Sequence, residues 1–427
     1  MKVTGKKIEQ VYSYAKERYA ALGVDADKAV FKAIEIPVSM HCWQADDVGG
    51  FEVKEEGLAS GGIMATGSYP GRARTPDEAR TDYEQVLRLV PGTLRLNLHA
   101  CYAETGGKIV DRDALEPRHF ANWMNWAKHH GIHLDFNPTF FAHPKANDGF
   151  TLSHTDKTIR EFWVRHTVAC RRIAELMARK QGGPCVINHW IPDGCKDFPA
   201  DRWTHRALLT ESLDAAIANE KSVNKKLCLD YVESKLFGLG SEEYVVGSAE
   251  YYSSYALSRS IGYCLDMGHW HPTEEIYDKI SSYLQFHKKL LLHVSRPVRW
   301  DSDHVVIFND ALRNIFLEIQ RGRAWTRVAL ATDFFDASIN RIAAYVIGLR
   351  ATRKAILYAL LDPTTELQKL EAAGDNAGRL ALMDEMKTMP FGDVWGFLCQ
   401  RAGAPLDHEW MGEVKKCEGN VRWHRHG

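Results

Sequence analysis

No stretch of this 427-residue sequence approaches the roughly 18 uninterrupted apolar residues of a membrane-spanning helix. Residues 1–10 are polar and basic, without the apolar core of a signal peptide. The expected location is the cytoplasm, with no membrane partner. A charge bias is missing as well. The 54 basic and 55 acidic side chains nearly cancel, and the basic ones are scattered rather than gathered in a stripe that could track a phosphate backbone, which argues against nucleic acid. Paired cysteines are absent: the nine thiols include no C-x-x-C, and several stand in apolar runs such as Leu227-Cys228-Leu229 and Tyr263-Cys264-Leu265. That is the usage of unpaired cysteines in a reducing compartment. No G-x-G-x-x-G or G-x-x-x-x-G-K-[ST] loop follows any apolar run, so the usual dinucleotide and phosphate cradles are missing. Internal repeats and low-complexity stretches are absent too.

What the sequence does contain is a rhythm. Eight short apolar runs, at 38–43, 93–99, 132–136, 185–191, 227–234, 261–265, 290–294 and 327–331, read as strands. Segments of helical periodicity lie between and after them, at 76–90, 117–130, 156–181, 201–219, 248–260, 273–287, 310–320 and 339–361. Eight strands alternating with helices predict an α/β fold, a (β/α)8 TIM barrel, with an open doubly wound sheet as the structural alternative. The barrel, with an N-terminal helix, spans 1–361. Residues 362–427 form a helical C-terminal extension, not an independent domain, packed on the barrel or on another subunit. The glycine-rich stretch 48–71 is a long loop after the first strand, placed to overhang the mouth of the barrel.

Active sites of such barrels sit at the C-terminal ends of the strands, and there the sequence is informative. The fifth run ends Val232-Glu233-Ser234-Lys235, which puts Glu233 and Lys235 on one face of an extended chain. The sixth leads into Asp266-Met267-Gly268-His269, the seventh ends at His293 with Asp301-Ser302-Asp303 beyond it, and the eighth leads to Asp333. Singly, each has a structural reading: an ion pair, a satisfied polar residue, a turn. Together, Glu233, Asp266, His269, His293, Asp301, Asp303 and Asp333 would converge on one rim, and crowded carboxylates need cations. Five carboxylates and two imidazoles supply ligands for two divalent ions. Mixed oxygen and nitrogen donors point to Mn first, with Co, Mg or Zn as substitutes. His41, His99 and Trp190 also stand at strand ends, where aromatic residues more often belong to the core. Trp123, Trp126 and Trp163 are assigned to packing, and His424 and His426 to a basic tail.

Longer segments carry a resemblance. Val232-Glu233-Ser234-Lys235-Leu236-Phe237-Gly238, Leu265-Asp266-Met267-Gly268-His269, the stretch from His293-Val294-Ser295-Arg296-Pro297 to Asp301-Ser302-Asp303-His304-Val305-Val306, and Asp333-Phe334-Phe335-Asp336-Ala337-Ser338-Ile339-Asn340-Arg341 resemble the L-rhamnose isomerase family. So do Pro37-Val38-Ser39-Met40-His41-Cys42-Trp43-Gln44 and Trp190-Ile191-Pro192-Asp193-Gly194, and the likeness runs from about residue 7 to about residue 412. It implies a barrel like that of xylose isomerase, a homotetramer, and manganese-dependent interconversion of L-rhamnose and L-rhamnulose. By the same resemblance, Glu233, Asp266, His293 and Asp333 bind the ion that holds the substrate hydroxyls. His269, Asp301 and Asp303 bind a second, catalytic ion, with Asp266 bridging. Lys235 meets the carbonyl end of the sugar, His99 assists ring opening, and Trp190 forms an apolar wall. Hydrogen is expected to move between C1 and C2 as hydride while a water or hydroxide shuttles the hydroxyl proton. An enediol route with Asp333 or its bound water as base is the alternative. Segments 45–71 and 101–107 match the family less closely, and Val48 and Cys101 are the candidates for the pocket at the sugar's methyl end. Other 6-deoxy or rare hexoses are therefore alternative substrates. The remaining alternatives are a metal-dependent hydrolase or nuclease, disfavoured by Lys235, and a sugar-binding protein, which would be expected to have lost a ligand.

Overall fold

The computed structural model describes residues 5–53, 67–236 and 243–425. Eight parallel strands form a closed barrel: β1 (Val38–His41), β2 (Leu94–His99), β3 (His133–Asn137), β4 (Cys185–Trp190), β5 (Cys228–Glu233), β6 (Gly262–Asp266), β7 (Leu290–Val294) and β8 (Val328–Thr332). Each pairs with its neighbours in chain order, and β8 returns to β1, so the open sheet is set aside. Outside it lie α1 (Gly5–Ala21), α2 (Ala26–Glu35), α3 (Pro76–Leu89), α4 (Ala121–His130), α5 (Lys157–Gln181), α6 (Arg202–Leu213), α7 (Ala249–Arg259), α8 (Ile276–Leu284), α9 (Asp310–Arg321) and α10 (Arg341–Leu360). No helix is long and apolar enough to cross a membrane among the described residues. Most of the loop at 48–71, together with Phe237, Gly238 and His426, lies outside the described residues.

Local chemistry sets the helix ends. The Asp156 carboxylate accepts the amide of Thr158 to start α5, and Gly182, at φ +70°, ends it in the left-handed conformation glycine tolerates. The helix expected at 201–219 is regular only to Leu213 and continues as a π-helical turn at Asp214–Ala218. There Asp214 accepts from the Tyr255 hydroxyl and the Arg259 guanidinium.

The extension comprises α11 (Thr364–Ala372), α12 (Asn376–Glu385), α13 (Phe391–Arg401) and α14 (Trp410–His424). Tyr12 of α1 stacks on Phe397 of α13, and Arg350 of α10 holds Asp407 at 2.9 Å. Arg425 grips the buried carboxylate of Asp82 on α3 through two bonds of 2.7 and 3.0 Å. One apolar core runs from Tyr12 through the barrel to Val414. Sandwiched between barrel and extension, α10 is buried on nearly every face.

Between the strands and α5, Arg171 is fully buried and bonds both oxygens of Asp230, on β5, at 2.7 and 2.8 Å, and His189 adds a third contact at 2.9 Å. Two opposite charges removed from water together are costly to separate. Arg171→Met should lower folding stability by about 3–5 kcal/mol, read as a drop in the urea midpoint. A midpoint unchanged from wild type would show that this pair does not anchor α5.

Candidate metal centre and active site

The strand register builds the site. Asp266 and His293 are partners across β6 and β7, and His293 is level with Ala331 across β7 and β8. On the remaining two strands the candidate ligands are staggered by two residues: Glu233 is level with Cys264, and Asp333 lies two residues beyond Ala331. A stagger of two keeps every side chain on the inner face, because strand side chains alternate. Ligand atoms of Glu233, Asp266, His293 and Asp333 consequently lie within 4.8 Å of one another. Beneath them Tyr231, Cys264, Leu291 and Ala331, each two residues earlier on its strand, form a packed floor.

The remaining expected residues surround this group. His269 donates from Nδ1 to the Ser234 carbonyl at 2.8 Å and turns Nε2 toward Asp301 Oδ2 at 3.5 Å. Lys235 places its ammonium 2.8 Å from the same Asp301 oxygen and 4.7 Å over the ring of Trp190. Asp303, at φ +46°, accepts the Phe335 amide at its carbonyl. Among the described residues, His269, Asp301 and Asp303 do not close to the spacing of the first group. Gly268 is needed here: a Cβ on it would stand 2.6 Å from Asp301 Oδ1, so the turn between Asp266 and His269 lets the two carboxylate clusters approach.

Residues that sequence reasoning missed support these ligands. The Asn188 amide donates to Glu233 Oε2, and Asp266 Oδ1 accepts from Gly268 N at 2.5 Å and Ser295 Oγ at 3.1 Å. Asn188, Cys264 and Ser295 each stand two residues from a strand-end residue already singled out, so the two-residue period alone could have found them.

Charge is unbalanced in this rim. Burial pushes the Asp303 carboxyl well up, and the neighbouring Asp301 and Asp333 add to it. Asp333 is raised to about 6, chiefly by burial. Burial would lower His269, but Asp266 and Asp301 carry it to about 10, and His293 is likewise raised well above an ordinary imidazole. Against its own burial, Glu233 is held well below the usual carboxylate range by His293 and His269. Glu233 Oε1, Asp266 Oδ2, Asp301 Oδ1 and both ring nitrogens of His293 are buried without a hydrogen-bond partner. Such orphaned donor atoms around a surplus of carboxylates fit divalent cations.

On the opposite wall, His99 is paired through Nδ1 with the Thr139 hydroxyl at 2.7 Å and lies edge-on to Trp43 and Phe141. Burial and Arg112 lower it to about 3, so it is a neutral imidazole at physiological pH. Trp190 packs against Phe141, and its indole N–H is buried without a partner. Cys101 is covered by the loop after β1: its carbonyl accepts the amides of Phe51 and Glu52 at 2.7 and 3.0 Å. That loop is strained, with Asp47 and Val48 at φ +56° and +60°, a conformation β-branched residues rarely adopt. It is held by Asp46, which accepts from Tyr102 and from the Gly50 amide, and by Asp47, bound to Arg341.

A family model described as L-rhamnose isomerase (RhaA) matches residues 6–425. This chain belongs to the L-rhamnose isomerase family. L-rhamnose isomerase of Rhodopirellula baltica is 51% identical over 414 residues, covering 97% of this chain and 96% of that protein. The enzyme of the same name from Escherichia coli strain SE11 is 53% identical over 412 residues, covering 96% and 97%. A solved L-ribulose 3-epimerase, 12% identical with a TM-score of 0.46, covers 78% of this chain and 97% of its own, a likeness too low to bear on function.

The loop generates a pH prediction. Burial raises the Asp46 carboxyl from 3.8 to about 7. Between those values the folded chain keeps a proton that the unfolded chain has lost, so this contribution to stability is full below about pH 4 and falls as the pH rises toward 7. The stability difference between wild type and Asp46→Asn, from urea melts in chelator, should therefore change across that window in the direction of a wild type weakened by alkali. A difference independent of pH would refute it.

Proposed function

We propose that this protein is a divalent-metal-dependent aldose–ketose isomerase that converts L-rhamnose to L-rhamnulose. The observation that carries this reading is the convergence of Glu233, Asp266, His293 and Asp333 from four neighbouring strands in a chain that matches the family over nearly its whole length. These four residues would hold one ion, and His269, Asp301 and Asp303, sharing Asp266, a second. Mn2+ is the proposed ion. Bound divalent ions supply Lewis-acid polarisation of the sugar oxygens at C1 and C2.

The protein's own groups do the rest. Lys235, fixed by Asp301 and by the Trp190 face, donates to the carbonyl oxygen at C1, which gains negative charge as C1 receives the hydrogen that leaves C2. Its ammonium is stabilised by the carboxylates around it, so the charge is in place before the sugar arrives. His99, neutral and oriented by Thr139, exchanges a proton with the ring oxygen when the pyranose opens. Trp190 and Phe141 give the sugar an apolar wall that keeps water from the migrating hydrogen, which favours a hydride shift with the hydroxyl proton carried by a water. In the enediol alternative Asp333, or a water bound to it, takes the C2 proton and returns it to C1. Val48, on the strained loop, and Cys101, beneath it, set the boundary of the methyl end.

The nine free cysteines suit a reducing cytoplasm. Exposed Trp203, Phe198 and Phe286, at 89%, 69% and 71% of full accessibility, suit burial between subunits of a homotetramer.

Ketose formation from L-rhamnose by chelator-treated protein, with and without Mn2+, tests the reading. Turnover should vanish with chelation and return with Mn2+, and Asp301→Asn should not recover. Lys235→Met should lower kcat by roughly 10²–10³-fold while still binding Mn2+. Absence of turnover on L-rhamnose and on related deoxyhexoses would overturn the assignment, and full activity of Lys235→Met would overturn the role of the ammonium.

A further inference from the structure

One donor in the floor of the barrel is unused by the centre described above. Cys264 precedes Asp266 by two residues and so shares its inward face, and it is the register partner of Glu233 across β5 and β6. Ligand atoms of Glu233, Cys264 and His293 lie within 4.8 Å of one another, and all three side chains are buried. The thiol is therefore not alone: Glu233 Oε1 and both ring nitrogens of His293 have no hydrogen-bond partner. Its other neighbours in the floor, Tyr231, Leu291 and Ala331, put no carboxylate beside it.

The two ligand sets that meet at Glu233 and His293 differ in softness. The upper set, with Asp266 and Asp333, offers oxygen and one nitrogen and suits hard ions. The lower set offers sulfur, nitrogen and oxygen, the donors preferred by zinc and its heavier congener cadmium. We propose that Glu233, Cys264 and His293 form a third, deeper ion position for thiophilic divalent cations. Because it borrows Glu233 and His293, its occupation excludes the ion of the upper set. Binding converts the thiol to a thiolate ligand and releases its proton to solvent, with no change of oxidation state. The site thus makes the centre sensitive to which metal is supplied: a hard ion rests on the carboxylates, and a thiophilic one sinks by one layer of side chains. This inference rests on the metal-centre reading for Glu233 and His293, and goes beyond it in Cys264.

The full-length, chelator-treated protein and its Cys264→Ser variant would be titrated with Cd2+, followed by thiolate-to-cadmium charge-transfer absorption in the ultraviolet. Bound Mn2+ would be counted in parallel by electron paramagnetic resonance. The wild type should develop the band and lose Mn2+ in step with it. The variant should bind Mn2+ yet show no band and take up Cd2+ at least about tenfold more weakly. A band that persists in Cys264→Ser, that is missing from the wild type, or that grows without loss of Mn2+ would each overturn the proposal. Should the variant fail to bind Mn2+, the wild-type competition decides alone, since displacement supports the shared site and coexistence refutes it. Failure of the wild type to bind Mn2+ while the band forms would count against the proposed function and leave the sulfur site standing.

Discussion

Electrostatic crowding governs this molecule. Glu233, Asp266, Asp301, Asp303 and Asp333 are gathered at one end of a barrel whose walls remove most of the water that would screen them. Without a counter-charge such a cluster is unstable, and the imidazoles of His269 and His293 are drawn into holding protons well above their ordinary range. A divalent metal ion would supply the missing charge and release those protons. The surrounding features then make sense as supports: the Gly268 turn admits Asp301, Asn188 and Ser295 orient carboxylates, and Lys235 balances Asp301 against the face of Trp190.

The geometry that allows the crowding is the stagger of the strands. At the level shared by Asp266 and His293, β8 carries Ala331, and Glu233 of β5 is level with Cys264, one layer lower. Sliding those strands by two residues brings Glu233 lower and Asp333 higher around the single level shared by Asp266 and His293. The cluster therefore has depth as well as width, and its lower edge reaches the floor where Cys264 stands.

Much of this was legible in the sequence because it follows from periods. The strand at 290–294 coincides with β7, and the others differ from expectation by a residue or two at their ends. The Leu265-Asp266 boundary moved by one residue because the ladder bond between β6 and β7 extends to Asp266 itself. Asn188 and Cys264 were given no role at the site since a small or polar residue inside an apolar run looks like packing until its neighbours are known, and Ser295, just past its strand, read only as part of a longer motif. The clamp on the loop after β1 was beyond reach for another reason: Asp46 meets Tyr102 across 56 positions, Asp47 meets Arg341 across 294, and no local pattern announces such pairs. The resemblance of long segments named the family, while the less similar stretch around Val48 and Cys101 gave the least guidance where the sugar's far end would lie.

The seam between β8 and β1 has a further consequence. Asp333 directly follows β8, and the nearby chain is tied across the seam by His41 to Thr332 and by Gln44 to Asp336. Asp333 itself is held from the other side, its amide donating to the Val294 carbonyl of β7 at 2.9 Å, so the end of β8 is fixed by both neighbours. A nascent or partly opened chain, lacking Asp333 in place, has no finished cage with which to scavenge metal. An ion held by Glu233, Asp266, His293 and Asp333 would join β5, β6, β7 and the end of β8 and stabilise the folded chain by mass action.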